Sequence, residues 1–254
     1  MPRETLRFAA IFAASLLAPS LQMPAQGVPP QEHAGFVNGI TFSSIPGVPF
    51  SATAVLEYQR DWPDGSTSIR RTINLIARDS QGRTHNETRR LMPEYFHGSP
   101  ELISVHLFDP ITRIRTIYNP TLHTAHQQFV PETPKIPAIP SPLIHEQDLG
   151  TTALNGLPAK GTRRTFTVSA SASGTGSPVE IEDEYWYSED LQMNLLVRHS
   201  DPRTGVQTIG ISNLKREEPP ATMFQVPQGY RIFDVGPPAP ASPASEKPPA
   251  QPIP

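Results

Sequence analysis

The feature that most constrains the fold is the alternation of apolar and polar residues along several short stretches. In "ELISVHLF", Ile103, Val105 and Leu107 fall on one side of an extended chain, and "QMNLLVRH" repeats the pattern. Successive side chains of a strand point to opposite faces, so a period of two residues is typical of half-buried antiparallel strands. The alternation therefore predicts a β-sheet with one apolar face.

The stretch "SIRRTINLIAR" shows the same period, with Ile73 and Leu75 on one side and Thr72 and Asn74 on the other. Because apolar side chains gain most from leaving water, we expect Leu75 to face the core. The full set of residues predicted to form the core is Leu75, Val105, Leu107, Phe166, Leu195, Val197 and Ile209.

The connections between these stretches are those of tight hairpins. "WPDGS" and "LNGL" contain the Asp-Gly and Asn-Gly pairs that favour two-residue turns. No stretch of ten residues carries a convincing helical stripe, and the best short helices are "PPATMF" and "PLIHEQ". The sequence predicts an all-β domain over residues 50–235: a curled antiparallel sheet or incomplete β-barrel of eight to eleven strands with few short helices.

Three acidic loops share one design, in "IARDSQGRTHNET", "LFDPITRIRTIY" and "HSDPRTGVQTIGI". In each, an Asp follows an apolar strand, and Pro or Ser comes next. A calcium loop needs several oxygen ligands within a few residues, whereas each loop offers one carboxylate with an Arg beside it. We interpret them as one turn used three times, with Asp capping backbone N–H groups. The residues assigned to these turns are Asp79, Gly82, Asp109, Pro110, Asp201, Pro202 and Gly205.

The two ends of the chain differ in composition from the middle. Residues 1–25 combine two Arg with the apolar run "FAAIFAASLLA", which predicts a cleaved export signal; an uncleaved anchor helix is the alternative. Residues 26–49 are rich in Gly and Pro and are expected to form a flexible lead-in. Residues 236–254 have almost nothing to bury and predict a disordered tail.

Within the β domain, residues 131–142 place Pro at every third position in "PETPKIPAIPSP". Three residues is the period of the polyproline II helix, so this segment predicts an extended rod. It is interpreted as a stiff crossover between two halves of the sheet; a ligand for a groove on a partner protein is the alternative.

Composition limits the chemistry available. The chain has no Cys, which excludes disulfides, thiol catalysis and Cys-based metal sites. Its net charge of -3 argues against a nucleic-acid partner. No apolar run after the signal is long enough to span a membrane, so no transmembrane segment is expected in the mature chain. No nucleophile elbow, phosphate loop or dinucleotide motif is present, and we expect neither catalytic residues nor a cofactor.

Two sets of side chains could still carry chemistry. His97, His106, His123 and His126 are the candidate ligands of a zinc site, since imidazole binds zinc well. The alternative is that the four side chains do not converge on one point and are ordinary exposed polar residues. The acidic run "EIEDEYWYSEDL" could supply paired carboxylates for a glycosidase, but alternation places Glu180, Glu182 and Glu184 along the wet face of a strand.

One long region carries a resemblance to known proteins. "GTRRTFTV" and then "EYWYSEDLQMNLLVRHSDPRTGVQTIGISNLKREEPPATMFQVPQGY" resemble a group of uncharacterised exported bacterial proteins that end in F-x-V-P-x-G-Y. More distantly, the chain is similar to the periplasmic lipoprotein-carrier (LolA-like) fold and its relatives that sense envelope stress. That resemblance implies a curled sheet around an apolar cavity, here without the long helices that cover the cavity.

Two functional hypotheses follow, and neither is catalytic. In the first, an exported envelope protein, periplasmic or extracellular, holds an apolar small molecule or lipid in its curled sheet. In the second, an envelope scaffold binds another protein through its Pro-rich segments. A metal-dependent hydrolase using the four His residues is a third, enzymatic alternative.

Overall fold

The computed structural model describes residue 40, residues 42–132 and residues 143–235. The chain divides into two compact units, Met1–Gly35 and Phe36–Pro254, of which the first lies outside the described residues. The predicted signal, most of the lead-in, most of the Pro-rich crossover and the predicted tail also lie outside them.

Thirteen strands are described. Those of the first half are β1 Phe50–Asp61, β2 Thr67–Arg78, β3 Thr84–Arg89, β4 Met92–Pro93, β5 Leu102–Asp109, β6 Ile114–Asn119 and β7 Thr124–Phe129. Those of the second half are β8 Ile144–Leu154, β9 Leu157–Val168, β10 Val179–Ser188, β11 Met193–Asp201, β12 Gly205–Lys215 and β13 Arg231–Val235. The helices are α1 Ala170–Ser173 and a 3₁₀ helix, Ala221–Phe224. No described helix has the length and apolar composition needed to cross a membrane.

All the strands belong to one sheet, in the order β13-β7-β6-β5-β3-β2-β1-β12-β11-β10-β9-β8, with β4 paired to β2. Every pairing is antiparallel except β13 with β7, which is parallel. β13 and β8 are the ends of this order, so the described sheet is open. It also curls: at the tip of the β8–β9 hairpin, the Asn155 amide donates to the Ile211 carbonyl of β12, at 2.9 Å. The prediction of a curled all-β sheet is confirmed.

The number of strands exceeds the predicted eight to eleven. β4 has two residues and β13 has five, and β13 is added to the sheet edge after the 3₁₀ helix. Strands this short carry too few alternations to be recognised by period alone.

The sheet is packed on opposite faces at its two ends. The first core cluster comprises Ile40, Phe50, Ala52, Ala54, Leu56, Ile76, Leu157, Ala159, Leu191, Met193, Leu195, Ile209 and Ile211. The second comprises Val105, Leu107, Tyr118 and Ala125, with Leu102, Val226 and Tyr230 packed against them. Ile76 of the first cluster pairs across the strands with Asn86, whereas Val105 of the second pairs with Glu87. Adjacent residues of one strand point to opposite faces, so the packed side changes between β2 and β5.

The prediction that Leu75 is core is wrong. Leu75 is 37% exposed and Ile73 is 49% exposed, while Thr72 and Asn74 on the other side of β2 are buried. The orientation is set by Ile76 and Arg78, which are buried on the side of Asn74. Asn74 tolerates burial because its side-chain oxygen accepts a hydrogen bond from the backbone N–H of Arg89, at 2.9 Å.

Of the other six predicted core residues, one is only half-buried and five are buried. Phe166 is only half-buried, because it lies on β9 beside the edge strand β8. The remaining predicted core residues are buried, and those predictions are confirmed: Val105, Leu107, Leu195, Val197 and Ile209.

The short helix predicted at "PLIHEQ" is also wrong. Ile144 begins β8, and its residues pair with β9 from Ile144 opposite Phe166 to Leu154 opposite Leu157. A single helical turn without an apolar stripe cannot compete with a hydrogen-bonded ladder of this length. In the other stretch, "PPATMF", the 3₁₀ helix follows Pro220.

Candidate functional site

The face of β3, β5 and β6 that does not carry the second core forms the floor of a groove. Its volume is about 500 Å³, which falls within the range of pockets that bind small molecules. The lining residues are Phe42, Ser44, Thr84, Asn86, His106, Leu107, Phe108, Arg115 and Val130. Four of these nine residues are apolar, two of them aromatic, and five are polar or charged.

Strand register fixes the arrangement of the floor. Phe108 of β5 pairs with Thr84 of β3 on one side and with Arg115 of β6 on the other. The three side chains therefore form a row across the sheet, with the aromatic ring in the middle and Thr84 and Arg115 about 10 Å apart.

A second row lies beside the first. It runs from Asn86 through His106, Ile117 and His126 to Phe233 of β13. Ile117 and Phe233 are exposed, and the His126 ring stacks on Phe233 with 5.0 Å between ring centroids. This row continues the groove as a partly apolar surface toward the sheet edge.

The rim of the groove comes from the segment before β1. The Ser44 hydroxyl donates to the carbonyl of Gly82, and the Asn86 amide donates to the carbonyl of Ile40 at 3.5 Å. The Phe42 ring meets Phe50 edge-on, with centroids 5.3 Å apart. These contacts hold Phe42 beside the strand floor, where it lines the groove.

The electrostatics of the groove are one-sided. None of the nine described lining residues is acidic, and the side chain of Arg115 forms no hydrogen bond or ion pair with any described residue. Burial lowers the pKa of His106, and the positive charge of Arg115 lowers it further. Among the described lining residues, the positive charge of Arg115 is therefore not balanced by a carboxylate.

A second groove, of about 410 Å³, lies on the opposite face, between β5–β7 and the 3₁₀ helix. Its charged lining residues are Arg83 and Asp109. Arg83 is bound to Asp79 at 2.6 Å, and Asp109 accepts a hydrogen bond from the backbone of Ile111. With its charges engaged in this way, this groove is the weaker candidate.

The four candidate zinc ligands do not meet. His97 lies in the loop after β4 and His123 in the turn before β7, where its ring packs against Tyr230. His106 and His126 flank Ile117, two strand spacings or about 10 Å apart, whereas zinc binds nitrogen at about 2.1 Å. Across the described residues, no group of three or more His, Asp or Glu is placed to hold a metal ion. The structure therefore does not bring these four residues together.

The three acidic loops each direct their carboxylate to the backbone of the same turn. Asp79 accepts from the N–H groups of Gln81 and Arg83, at 3.0 and 2.8 Å. Asp109, which precedes Pro110, accepts from Ile111 at 2.8 Å, and Asp201, which precedes Pro202, accepts from Arg203 at 2.9 Å.

Two of these loops also contain an Arg that pairs with the Asp residue and a Gly with positive φ. Side-chain hydrogen bonds from Arg203 are the main reason that the pKa of Asp201 is lowered. Gly82 and Gly205 both have positive φ, at 84° and 117°. The assignment of all seven residues to a structural role stays a prediction.

The acidic run on β10 is engaged in ion pairs. Arg163 of β9 contacts Glu182 at 3.3 Å and Glu184 at 3.1 Å, and Arg198 of β11 contacts Glu182 at 3.5 Å. Glu180 is exposed. Two carboxylates held by a shared guanidinium are arranged as a cross-strand charge network rather than as an acid–base pair.

Comparison with known proteins shows only weak similarity. No family model matches the chain, and no curated protein matches it. Among solved structures, a chain of the Pseudomonas aeruginosa MucA/MucB complex is 14% identical with a TM-score of 0.39, covering 74% of this chain and 58% of its own. An uncharacterized conserved protein from Thermus thermophilus is 12% identical with a TM-score of 0.40, over 74% and 91% of the two chains. LprF from Mycobacterium bovis is 11% identical with a TM-score of 0.30, over 73% and 91%.

The chain thus spans 58% of the length of the first of these structures. All three TM-scores are below 0.5, so these similarities carry no functional argument. The resemblance to the periplasmic lipoprotein-carrier fold stays a prediction.

Apart from His106, named as a candidate ligand, and Leu107, named as a core residue, the groove residues are not identified from the sequence. Phe42 lies in the stretch interpreted as a flexible lead-in, and Phe108 and Arg115 lie in the flanks of a predicted acidic turn. The available signal was the period of two itself: Phe108 and Arg115 lie on the side of their strands opposite the buried Leu107 and Thr116. Only the strand register shows that these sides meet.

Proposed function

We propose that the protein is an exported, non-catalytic protein of the bacterial envelope that holds an apolar or amphipathic ligand in the groove above β3, β5 and β6. The observation that carries the proposal is the groove itself, about 500 Å³ with Phe42, Phe108 and Val130 in its lining. Clefts of this size with aromatic walls are where small hydrophobic ligands bind. The apolar run near the N-terminus supports export.

The packing of this half of the sheet supports the same reading. One face of β5 and β6 carries the second core, whereas Ile117 on the other face is exposed and His106 and Phe108 line the groove. An apolar surface on one face of a sheet is stabilised when something covers it. In this proposal, a ligand covers it.

The test is a titration of the purified chain with N-phenylnaphthylamine, a neutral apolar fluorophore, together with native mass spectrometry after gentle extraction. We expect saturable binding of one probe, or a lipid that co-purifies. Phe108→Ala should weaken probe binding by about tenfold, since it removes much of an aromatic contact surface. Leu122→Ala is the matched control, because Leu122 is exposed in the β6–β7 turn and does not line the groove.

Equal loss in both variants, or no saturable binding, would count against the proposal. If nothing binds and deletion of residues 236–254 abolishes recovery of a protein partner, the scaffold hypothesis is favoured instead. Binding that survives this deletion supports the groove as the site.

A further inference from the structure

The groove contains a guanidinium without an anion. The side chain of Arg115 makes no hydrogen bond or ion pair with any described residue, whereas two other arginines of this region are bound. Arg113, two residues earlier, donates to the carbonyl of Val130 at 3.0 Å, and Arg83 binds Asp79 at 2.6 Å. Arg115 is thus free to receive a ligand.

The surroundings of Arg115 do not neutralise it. None of the described lining residues is acidic, and the pKa of His106, which also lines the groove, is lowered by burial and further by the positive charge of Arg115. An unneutralised cation beside apolar side chains is complementary to a ligand that joins an anion to an apolar chain.

The strand register places the charged Arg115 directly beside the apolar Phe108 on the floor of the groove. Arg115 pairs directly with Phe108, and Phe108 with Thr84, so a ligand whose head meets Arg115 can extend over the Phe108 ring. Phe42 and Val130 also line this groove and add apolar contacts for the chain of the ligand. A guanidinium presents several N–H donors in one plane, which suits the paired oxygens of a carboxylate or phosphate.

We infer that the ligand class of the groove is an amphiphile with an anionic head, carboxylate or phosphate, and that Arg115 binds this head. The inference rests on the proposed function and deepens it: the groove holds apolar ligands, and Arg115 selects those with a negative charge.

The test compares two probes that differ only in charge, cis-parinaric acid and its methyl ester, titrated into the full chain at low salt. We expect the acid to bind about tenfold more tightly than the ester, the size of effect given by a charge-assisted hydrogen bond. Arg115→Gln should remove this preference by weakening the acid about tenfold and leaving the ester within about twofold. Arg115→Lys should retain part of the preference, because the charge remains and the fork of donors is lost.

Arg70→Gln is the matched control, since it removes the same charge from an exposed position on β2, six residues along the strand from Ile76 beside the groove. Circular dichroism and thermal melting of each variant exclude loss of fold as the cause. Equal affinities of acid and ester for the wild type would overturn the inference while leaving the proposed function in place. A preference for the acid that persists in Arg115→Gln would overturn it as well, because the anion would be bound elsewhere.

Displacement of the bound acid by laurate and by dodecyl phosphate distinguishes the two head groups, and the more effective competitor identifies the head. Failure of both to displace it would contradict the inference. Failure of the ester, the acid and the neutral fluorophore to bind at all would overturn the proposed function itself.

Discussion

Arg78 is a fully buried cation without an acidic partner among the described residues. Its guanidinium donates to three backbone carbonyls, those of Ser43, Val48 and Leu191, at 2.7, 2.9 and 2.8 Å. It also lies over the Phe50 ring, 5.1 Å from the centroid. Burial lowers the pKa of Arg78, yet the side chain stays charged because guanidinium is so strongly basic.

Replacing Arg78 should be among the most damaging single changes in the protein. Arg78→Met removes the donor from three carbonyls, of which that of Leu191 lies in the buried interior, and we expect a loss of about 3 kcal/mol or more in the free energy of unfolding, measured by urea denaturation. Arg70→Met, at an exposed position near the start of the same strand, should change it by less than about 0.5 kcal/mol. A similar small effect for both variants would show that the three hydrogen bonds contribute little.

Glu87 makes the stability of the fold sensitive to acid. Burial raises its pKa, but the adjacent His85 ring, the hydrogen bond and charge of Arg89 and the N–H of Leu75 outweigh burial and lower the pKa to about 2. Because the carboxyl binds its proton less readily in the folded chain, the folded state is favoured wherever Glu87 is ionised.

The contribution of Glu87 should be complete above its ordinary pKa of 4.5 and should disappear as the pH falls to about 2. Its size is on the order of 3 kcal/mol. Glu87→Gln should therefore flatten the fall in unfolding free energy between these pH values. An unchanged acid limb in the variant would assign the acid sensitivity to other carboxyls.

At the scale of elements, Gly205 determines how the β11–β12 hairpin meets β1. Its φ is 117°, and a Cβ atom at this position would lie 2.2 Å from the carbonyl oxygen of Gln59. Gly205→Ala thus adds a backbone clash to an unfavourable φ, and we expect it to cost more than about 2 kcal/mol in thermal or urea unfolding. Gly150→Ala is the control with a positive φ but open space, and should cost about 1 kcal/mol.

A polar substitution should destabilise the fold much more at the buried Leu195 of β11 than at the exposed Leu75 of β2. Leu195→Asn places an amide in the first core, where Leu195 is 1% exposed, and should cost more than about 3 kcal/mol. Leu75→Asn should cost less than about 1 kcal/mol, because Leu75 is already partly in water. Urea midpoints of the two variants provide the comparison, and a larger effect at Leu75 would contradict the orientation of β2.

The sequence predicts the buried side of some of these strands and not of others. Where both sides of a strand fit the alternation, as at Val105 and Leu195, the period of two predicts the buried side correctly. On β2 it fails, because Asn74 and Arg78 are buried through hydrogen bonds whose partners are far away in the chain. The groove could not be predicted for the same reason: Phe108 and Arg115 are brought together by strand register, and Phe42 by contacts of the segment before β1, and one sequence reveals neither.

At the scale of the whole molecule, the two packed faces should behave as partly separate units. The first core joins β1, β2, β9, β11 and β12, and the second joins β5, β6 and β7. Val105→Ala should speed amide hydrogen exchange in β5–β7 more than in β11 and β12, and Leu195→Ala should do the reverse. Uniform acceleration across the sheet in both variants would show a single cooperative unit.

The hydrogen bonds of Arg78 also determine how much of the chain must emerge before the first core can form. They join the segment before β1 to Leu191, which is 113 residues beyond Arg78. A polypeptide that leaves a narrow channel N-terminus first releases β1 and β2 early, but it cannot complete the hydrogen bonds of the Arg78 guanidinium until Leu191 has emerged. The first core therefore stays incomplete until three-quarters of the chain has emerged. If the chain is exported in this way, its incomplete sheet must be protected from aggregation until then.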